Sequence, residues 1–378
     1  MIYFDNGATT FPKPPSVIRA MNQTMRLYGA NPGRSGHKMS LKASELIYDC
    51  RVNTAKLFGA EKPENVIFTQ NCTAALNTVI KGILKSGDHA IISSLEHNAV
   101  VRPLEFMKKQ GISFSVADFS FDEEETINNF REAIRPNTRL VICTHASNVF
   151  GVRLPVERIG ALCRIYEIPF CVDAAQTAGA VPVSLSDSCI DFLCTAGHKG
   201  LYGPMGTGIL IINTENTPQS LIQGGTGSLS LSREQPDILP DKYESGTPNL
   251  PGIAGLCEGV KFVASRDPER IMKAEIRLAQ NLYERLNNIP GVELYAPKPE
   301  GTKSVAVISF NINGKDCEDV AMTLSERCNI AVRSGLHCAP LAHQSFKTDD
   351  KGTVRAVVSA FTTQAQVNYF ADCIKRLA

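Results

Sequence analysis

Phe170-Cys171-Val172-Asp173-Ala174-Ala175-Gln176 decides the fold: an apolar run ends on a carboxylate, with small residues behind it. A run so short, closed by a polar residue, reads as a strand buried on both faces. The same pattern recurs on either side, at residues 66–69, 90–93, 140–144, 192–195 and 209–212. Between these runs, residues 73–84, 100–109, 126–134 and 156–166 space their apolar side chains as helices do. Alternation of this kind, from about residue 44 to 212, predicts an α/β domain around a mostly parallel sheet.

Residues 224–249 break the alternation, being rich in Gly, Ser and Pro, and read as one long loop. A loop of that length is more often functional than idle. Beyond it the order changes to a helix near 269–288, strands near 305–310 and 354–359, and a closing helix near 364–377. The expected organisation is an N-terminal segment over 1–14 packing with the smaller unit and a large domain over 15–250. A smaller α+β domain over 251–378 completes it.

Composition narrows the function. The 378 residues are 43% hydrophobic and 20% charged, with 39 Lys plus Arg against 38 Asp plus Glu, a net charge of +1. So even a balance gives no electrostatic reason to expect nucleic acid or an anionic membrane as partner. The first residues lack the basic start and apolar run of a signal peptide, and no apolar stretch is long enough to span a bilayer. The twelve cysteines are scattered, without metal-ligand spacing, and Cys143, Cys171 and Cys194 lie inside apolar runs. A reducing cytoplasm suits that usage.

In open parallel sheets, ligands sit beyond the carboxyl ends of the strands. There the candidate strands deliver Gln70-Asn71-Cys72-Thr73, Glu96-His97-Asn98, His145-Ala146-Ser147-Asn148, Asp173 with Gln176, and Ala196-Gly197-His198-Lys199-Gly200. One polar strand end is ordinary, but five converging on a single edge point to a site. Lys199, set among glycines just beyond an apolar strand, can be deprotonated by desolvation and form a Schiff base. Asp173 suits a helix N-cap as well as a cofactor partner. With Lys199 expected on the next strand, it matches the carboxylate that keeps a pyridine nitrogen protonated.

With Asp173-x-x-Gln176 and His198-Lys199 in place, the chain resembles the class V aminotransferases of fold-type I, and within them the second group of cysteine desulfurases and selenocysteine lyases. The resemblance runs from Tyr3-Phe4-Asp5-Asn6-Gly7-Ala8-Thr9 to the final helix. It implies a seven-stranded, mostly parallel sheet, pyridoxal 5'-phosphate as cofactor, and Lys199 as the residue that holds it and moves protons at Cα. Asp173 would pair with the pyridine nitrogen, Gln176 would bond the phenolic oxygen, and His97 would stack on the ring. Asn148 would reach that oxygen or the substrate, and Thr73 and His198 would bind the phosphate. Thr247, in Glu244-Ser245-Gly246-Thr247-Pro248-Asn249, matches a threonine that crosses to the phosphate of a second subunit, which implies a homodimer.

In the smaller unit, Arg355 matches the arginine that holds the substrate carboxylate, a task suited to its fork. Cys338, in Arg333-Ser334-Gly335-Leu336-His337-Cys338-Ala339-Pro340, has a loop setting and basic neighbours. The family places there the nucleophile that takes sulfur from cysteine as a persulfide, to be passed on to an acceptor. Arg333 matches a basic residue near that nucleophile, without a defined role. Selenocysteine lyase, another class V lyase or aminotransferase, and a non-catalytic sulfur-transfer scaffold are the alternatives. Intact Lys199 and Asp173 argue against the last.

Overall fold

The computed structural model describes residues 1–33 and 36–378. Its central sheet holds seven strands: β2 (Val66–Thr69), β3 (His89–Ser93), β4 (Ser113–Ala117), β5 (Thr138–Thr144), β6 (Phe170–Asp173), β7 (Phe192–Ala196) and β8 (Gly208–Ile212). They lie in the order β2-β8-β7-β6-β5-β3-β4. Strand β8 runs antiparallel to both neighbours, and every other pairing is parallel. The mostly parallel sheet expected from the sequence is therefore present.

Helices α3 (Cys72–Ile83), α4 (Asn98–Lys108), α5 (Glu123–Glu132) and α6 (Val156–Ile165) make the crossovers. Strands β3, β5, β6, β7 and β8 bury nearly every side chain, as a sheet covered on both faces must. Strand β4 lies outside the sequence reading because it is a half-exposed edge strand, Ser-Phe-Ser-Val-Ala, with no apolar run. Parallel pairing has one consequence for chemistry: the carboxyl ends of β3, β5, β6 and β7 open on the same edge.

The smaller unit has its own core around Phe310, Leu324, Phe370 and Ile374. It comprises a sheet in the order β12 (Val354–Val357), β10 (Val307–Ile312), β9 (Val292–Leu294), with α8 (Pro268–Asn287), α9 (Cys317–Cys328), α10 (Pro340–Ser345) and α11 (Gln364–Leu377). The first strand, β1 (Ile2–Tyr3), pairs in parallel with β11 (Ile330–Ala331), and Phe4 is buried in this smaller core. Residues 213–249 carry no helix or strand. Then comes a helix that the sequence reading missed, α7 (Leu250–Arg266). Assigned by sequence to the smaller unit, it instead buries Leu250, Ile253, Leu256, Cys257 and Val260 in the larger core, against α1 (Pro15–Leu27) and α2 (Lys38–Phe58). No helix among the described residues is long and apolar enough to cross a membrane.

Where the two units meet, Tyr202 donates its hydroxyl to Glu275 of α8 at 3.4 Å and accepts from the Ala360 amide at 3.0 Å. Burial pushes the Glu275 carboxyl up to about 8. A carboxyl raised above its unfolded value of about 4.3 stabilises fully below that pH and loses the contribution as pH climbs through 8. Glu96 carries the same sign, since burial lifts it to about 8 as well. Glu275→Gln is therefore expected to flatten the fall in melting temperature between roughly pH 5 and 8, where the wild-type carboxyl costs about 1.4 kcal/mol of stability per pH unit. Parallel melting curves for wild type and variant across that range would refute this.

Candidate active site

Asp173 ends β6 and is 4% exposed. Its Oδ1 accepts from the Ala175 amide at 2.9 Å and from the Cys72 thiol at 3.4 Å, while Oδ2 has no partner among the described residues. One strand over, β7 leads into the turn that carries Lys199. That turn is tied by Gly197 N–H to Thr207 O at 2.9 Å and by Tyr202 N–H to Lys199 O at 2.8 Å. Glycine is required within it: a Cβ on Gly203 would fall 2.8 Å from Leu256 Cδ1 of α7. Lys199 is half-buried, and its amine makes no hydrogen bond among the described residues. Burial lowers its pKa, with Arg355 and Arg333 pushing the same way and Asp173 and Cys72 opposing. Here are the desolvated amine and the carboxylate that the sequence predicts side by side.

The N-terminal segment clamps this turn from outside. His198 O accepts from Thr10 N–H at 3.1 Å, Thr9 Oγ1 at 3.1 Å and Lys13 Nζ at 2.7 Å, and Thr10 Oγ1 donates to Lys199 O at 3.0 Å. The His198 ring, pushed down to about 4 by burial and by Lys199 and Lys13, is neutral at neutral pH, and its buried Nδ1 has no partner among the described residues. His97 caps α4, its Nδ1 accepting from Ala99 N–H at 3.0 Å. Burial takes it to about 4 against the pull of Asp173, with Lys199, Arg333 and Arg102 adding to the fall. Nearby, Asn71 caps α3 by accepting from Ala74 N–H at 2.9 Å. That leaves the N–H groups of Cys72 and Thr73 without partners among the described residues, at the positive end of the helix.

The smaller unit brings a guanidinium and a thiol to the same edge. Arg355 is 1% exposed, donates to Asp5 Oδ1 at 3.0 Å and to Asn148 O at 2.8 Å, and keeps a buried Nε–H unpaired among the described residues. Gly7 lies against it, since a Cβ there would sit 3.1 Å from the guanidinium carbon. Cys338 alone of the twelve cysteines is exposed among the described residues. It and His337 have φ of +59° and +49°, strained for residues with a side chain. The Asn98 amide of α4 holds the turn by donating to Cys338 O at 2.7 Å. Arg333, whose role the sequence left open, donates from Nη2 to Cys338 Sγ at 3.7 Å.

Two expected ligands are committed elsewhere: Asn148 Nδ2 donates to His337 O at 2.8 Å and Gln176 Nε2 to Gly7 O at 3.1 Å. Each amide retains one further N–H. Thr247 is not brought to Lys199. It is exposed, accepts from Asn31 Nδ2 at 3.3 Å, and lines a cleft of about 640 Å³ together with Gln70, Ala74 and Gly206. Sequence reasoning missed Asp5, Lys13 and Glu96. Glu96 is fully buried, and its one bonded oxygen accepts from Ser93 Oγ and from Thr144 N–H. A lone carboxylate before His97 gives no signal of that. Asp5 stood in a quoted stretch, but nothing local links it to a residue 350 positions away.

This donor set fits pyridoxal phosphate. The amine of Lys199, its pKa lowered by burial, suits its aldehyde, the Oδ2 of Asp173, unpaired among the described residues, its ring nitrogen, and the free N–H groups of α3 with His198 Nδ1 its phosphate. Comparison with known proteins agrees. The aminotransferase class-V family model matches residues 2–370. A probable cysteine desulfurase of Methanothermobacter thermautotrophicus is 31% identical over 100% of this chain and 94% of its own. One from Pyrococcus abyssi is 33% identical over the same shares, 100% and 94%. The solved apo structure of a cysteine desulfurase from Thermococcus onnurineus superposes with a TM-score of 0.91 at 32% identity, over 100% of this chain and 94% of that one. On this match and these motifs, the chain belongs to the class V aminotransferase family.

Proposed function

We propose that the protein is a pyridoxal-phosphate-dependent cysteine desulfurase, working as a homodimer that converts L-cysteine to L-alanine and leaves a persulfide on Cys338. The observation that carries this reading is the exposed Cys338 thiol, within reach of Arg333 and tied through its carbonyl to the residue after His97. A transaminating site has no need of such a thiol.

Lys199, Asp173, His97, His198, Gln176 and the N–H groups of Cys72 and Thr73 hold the cofactor, which when bound supplies an electron sink that acidifies Cα and weakens the bonds at Cβ. Arg355 takes the substrate carboxylate with its unpaired Nε–H, while Asp5 and the Asn148 carbonyl keep the fork from turning. Lys199, its amine's pKa lowered by burial, removes the Cα proton. The Cys338 sulfur attacks the substrate sulfur, the S–Cβ bond breaks, and its electron pair takes a proton to complete the methyl group of alanine. Arg333 is the charge partner of Cys338 during attack. The balance is one thiol and cysteine in, one persulfide and alanine out, which an acceptor protein's thiol then discharges.

The test is incubation with L-cysteine, measuring alanine and the persulfide on the peptide that contains Cys338. Equal amounts of both support the reading; alanine from selenocysteine alone, or keto acid without persulfide, overturns it. Shared sites make a separate prediction. Thr247 lies away from its own Lys199, so a Lys199→Ala chain mixed with a Thr247→Ala chain should regain activity through hybrid dimers, up to about a quarter of wild type. An active protein that stays monomeric in ultracentrifugation would refute it.

A further inference from the structure

We propose that Cys72 is a positioning residue for Asp173, one side chain that sets the carboxylate against the cofactor ring; this rests on the reading of the site as one for pyridoxal phosphate. Asp173 needs positioning because it has two equivalent oxygens and free rotation about its carboxyl bond. Both of its donors, the Ala175 amide at 2.9 Å and the Cys72 thiol at 3.4 Å, converge on Oδ1. Two donors on one oxygen fix the carboxylate plane and leave Oδ2 for a partner that no described residue supplies. Cys72 is 8% exposed and Asp173 4%, so water does not compete for this bond.

The thiol is a donor and nothing else. Burial and the Asp173 charge hold it protonated, so it adds no second anion beside Asp173 and does not rival Cys338 as nucleophile. Its place in the chain doubles its use. Cys72 is the first residue of α3, directly after the Asn71 cap, and its own N–H is one of those free for a phosphate. In pyridoxal phosphate a single ring carbon separates the ring nitrogen from the carbon that bears the phosphate arm. One residue can therefore serve both, with its backbone on the phosphate and its side chain behind the nitrogen's partner.

The test uses the purified full-length chain stripped of cofactor, with cofactor affinity as its readout. Pyridoxal phosphate is titrated into wild type, Cys72→Ala and Cys72→Ser, following the visible absorbance of the bound cofactor and its change with pH. Both variants leave a gap where the sulfur was, but only serine keeps a donor, so packing alone would move them equally. The expected result is a dissociation constant about tenfold weaker for Cys72→Ala, and within about threefold of wild type for Cys72→Ser, as for a hydrogen bond to a charged group. Equal behaviour of the two variants, or no change in either, overturns the proposal while leaving the cofactor site standing. Failure of wild type itself to take up the cofactor at Lys199, read by borohydride reduction and peptide mass, overturns both.

Discussion

Lys199→Ala is expected to lower turnover by at least about 10⁴-fold and to leave the fold intact. The size follows from the two tasks the amine combines, tethering the cofactor and moving the Cα proton, because no other base with a free amine lies at that edge among the described residues. Survival of the fold follows from what the side chain does not do. Its amine makes no hydrogen bond among the described residues, and the bonds that hold the turn, from Thr10 Oγ1 and from Tyr202 N–H, go to the Lys199 backbone oxygen. Removing a partly desolvated amine also lifts a burial penalty. Melting temperature and steady-state alanine release measured together decide the point. A folded variant within tenfold of wild type would overturn the assignment, and a variant that unfolds would show the side chain to be structural.

Cys338→Ser should abolish cysteine turnover, by about 10³-fold or more, while the protein keeps its cofactor and colour. Serine differs from cysteine by one atom, yet a hydroxyl is scarcely ionised near neutrality and cannot store sulfur as a persulfide. The backbone is not at risk. Residues 337 and 338 already carry their positive φ with side chains in place, the Asn98 amide holds the Cys338 carbonyl, and serine demands no more than cysteine. Selenium leaves more readily than sulfur, so selenocysteine cleavage is expected to survive in part. Wild-type rates with cysteine, or persulfide found on Cys189 rather than Cys338, would overturn the role.

The large domain was legible because its signals are local. Short apolar runs such as 170–173 are fully buried strands, and parallel pairing alone then carries His97, Asp173 and Lys199 to one edge. Helices α7 and α9 were not, since α7 is apolar around most of its surface and α9 is short and mixed, so neither shows a clear stripe. In the site, residues that announce themselves by type and setting, Lys199 and Cys338, could be picked out. Those that work through a distant partner could not. Asp5 acts through Arg355, and the Cys72 side chain acts through Asp173.

The pairing of β1 with β11 and of Asp5 with Arg355 also sets the order in which the protein becomes competent. Residues 2–5 leave the ribosome early, but their partners, Ile330, Ala331 and Arg355, are made more than 320 residues later. Until then Phe4 has no core to enter, and the strap that runs from Asp5 to Lys13 has only one end to hold. Closing so long a loop is slow relative to the local strand–helix units of the large domain. On the proposed reading, the strand ends that would hold the cofactor can form while the chain is still attached, whereas the guanidinium that would grip a substrate carboxylate is added only once synthesis has passed Arg355.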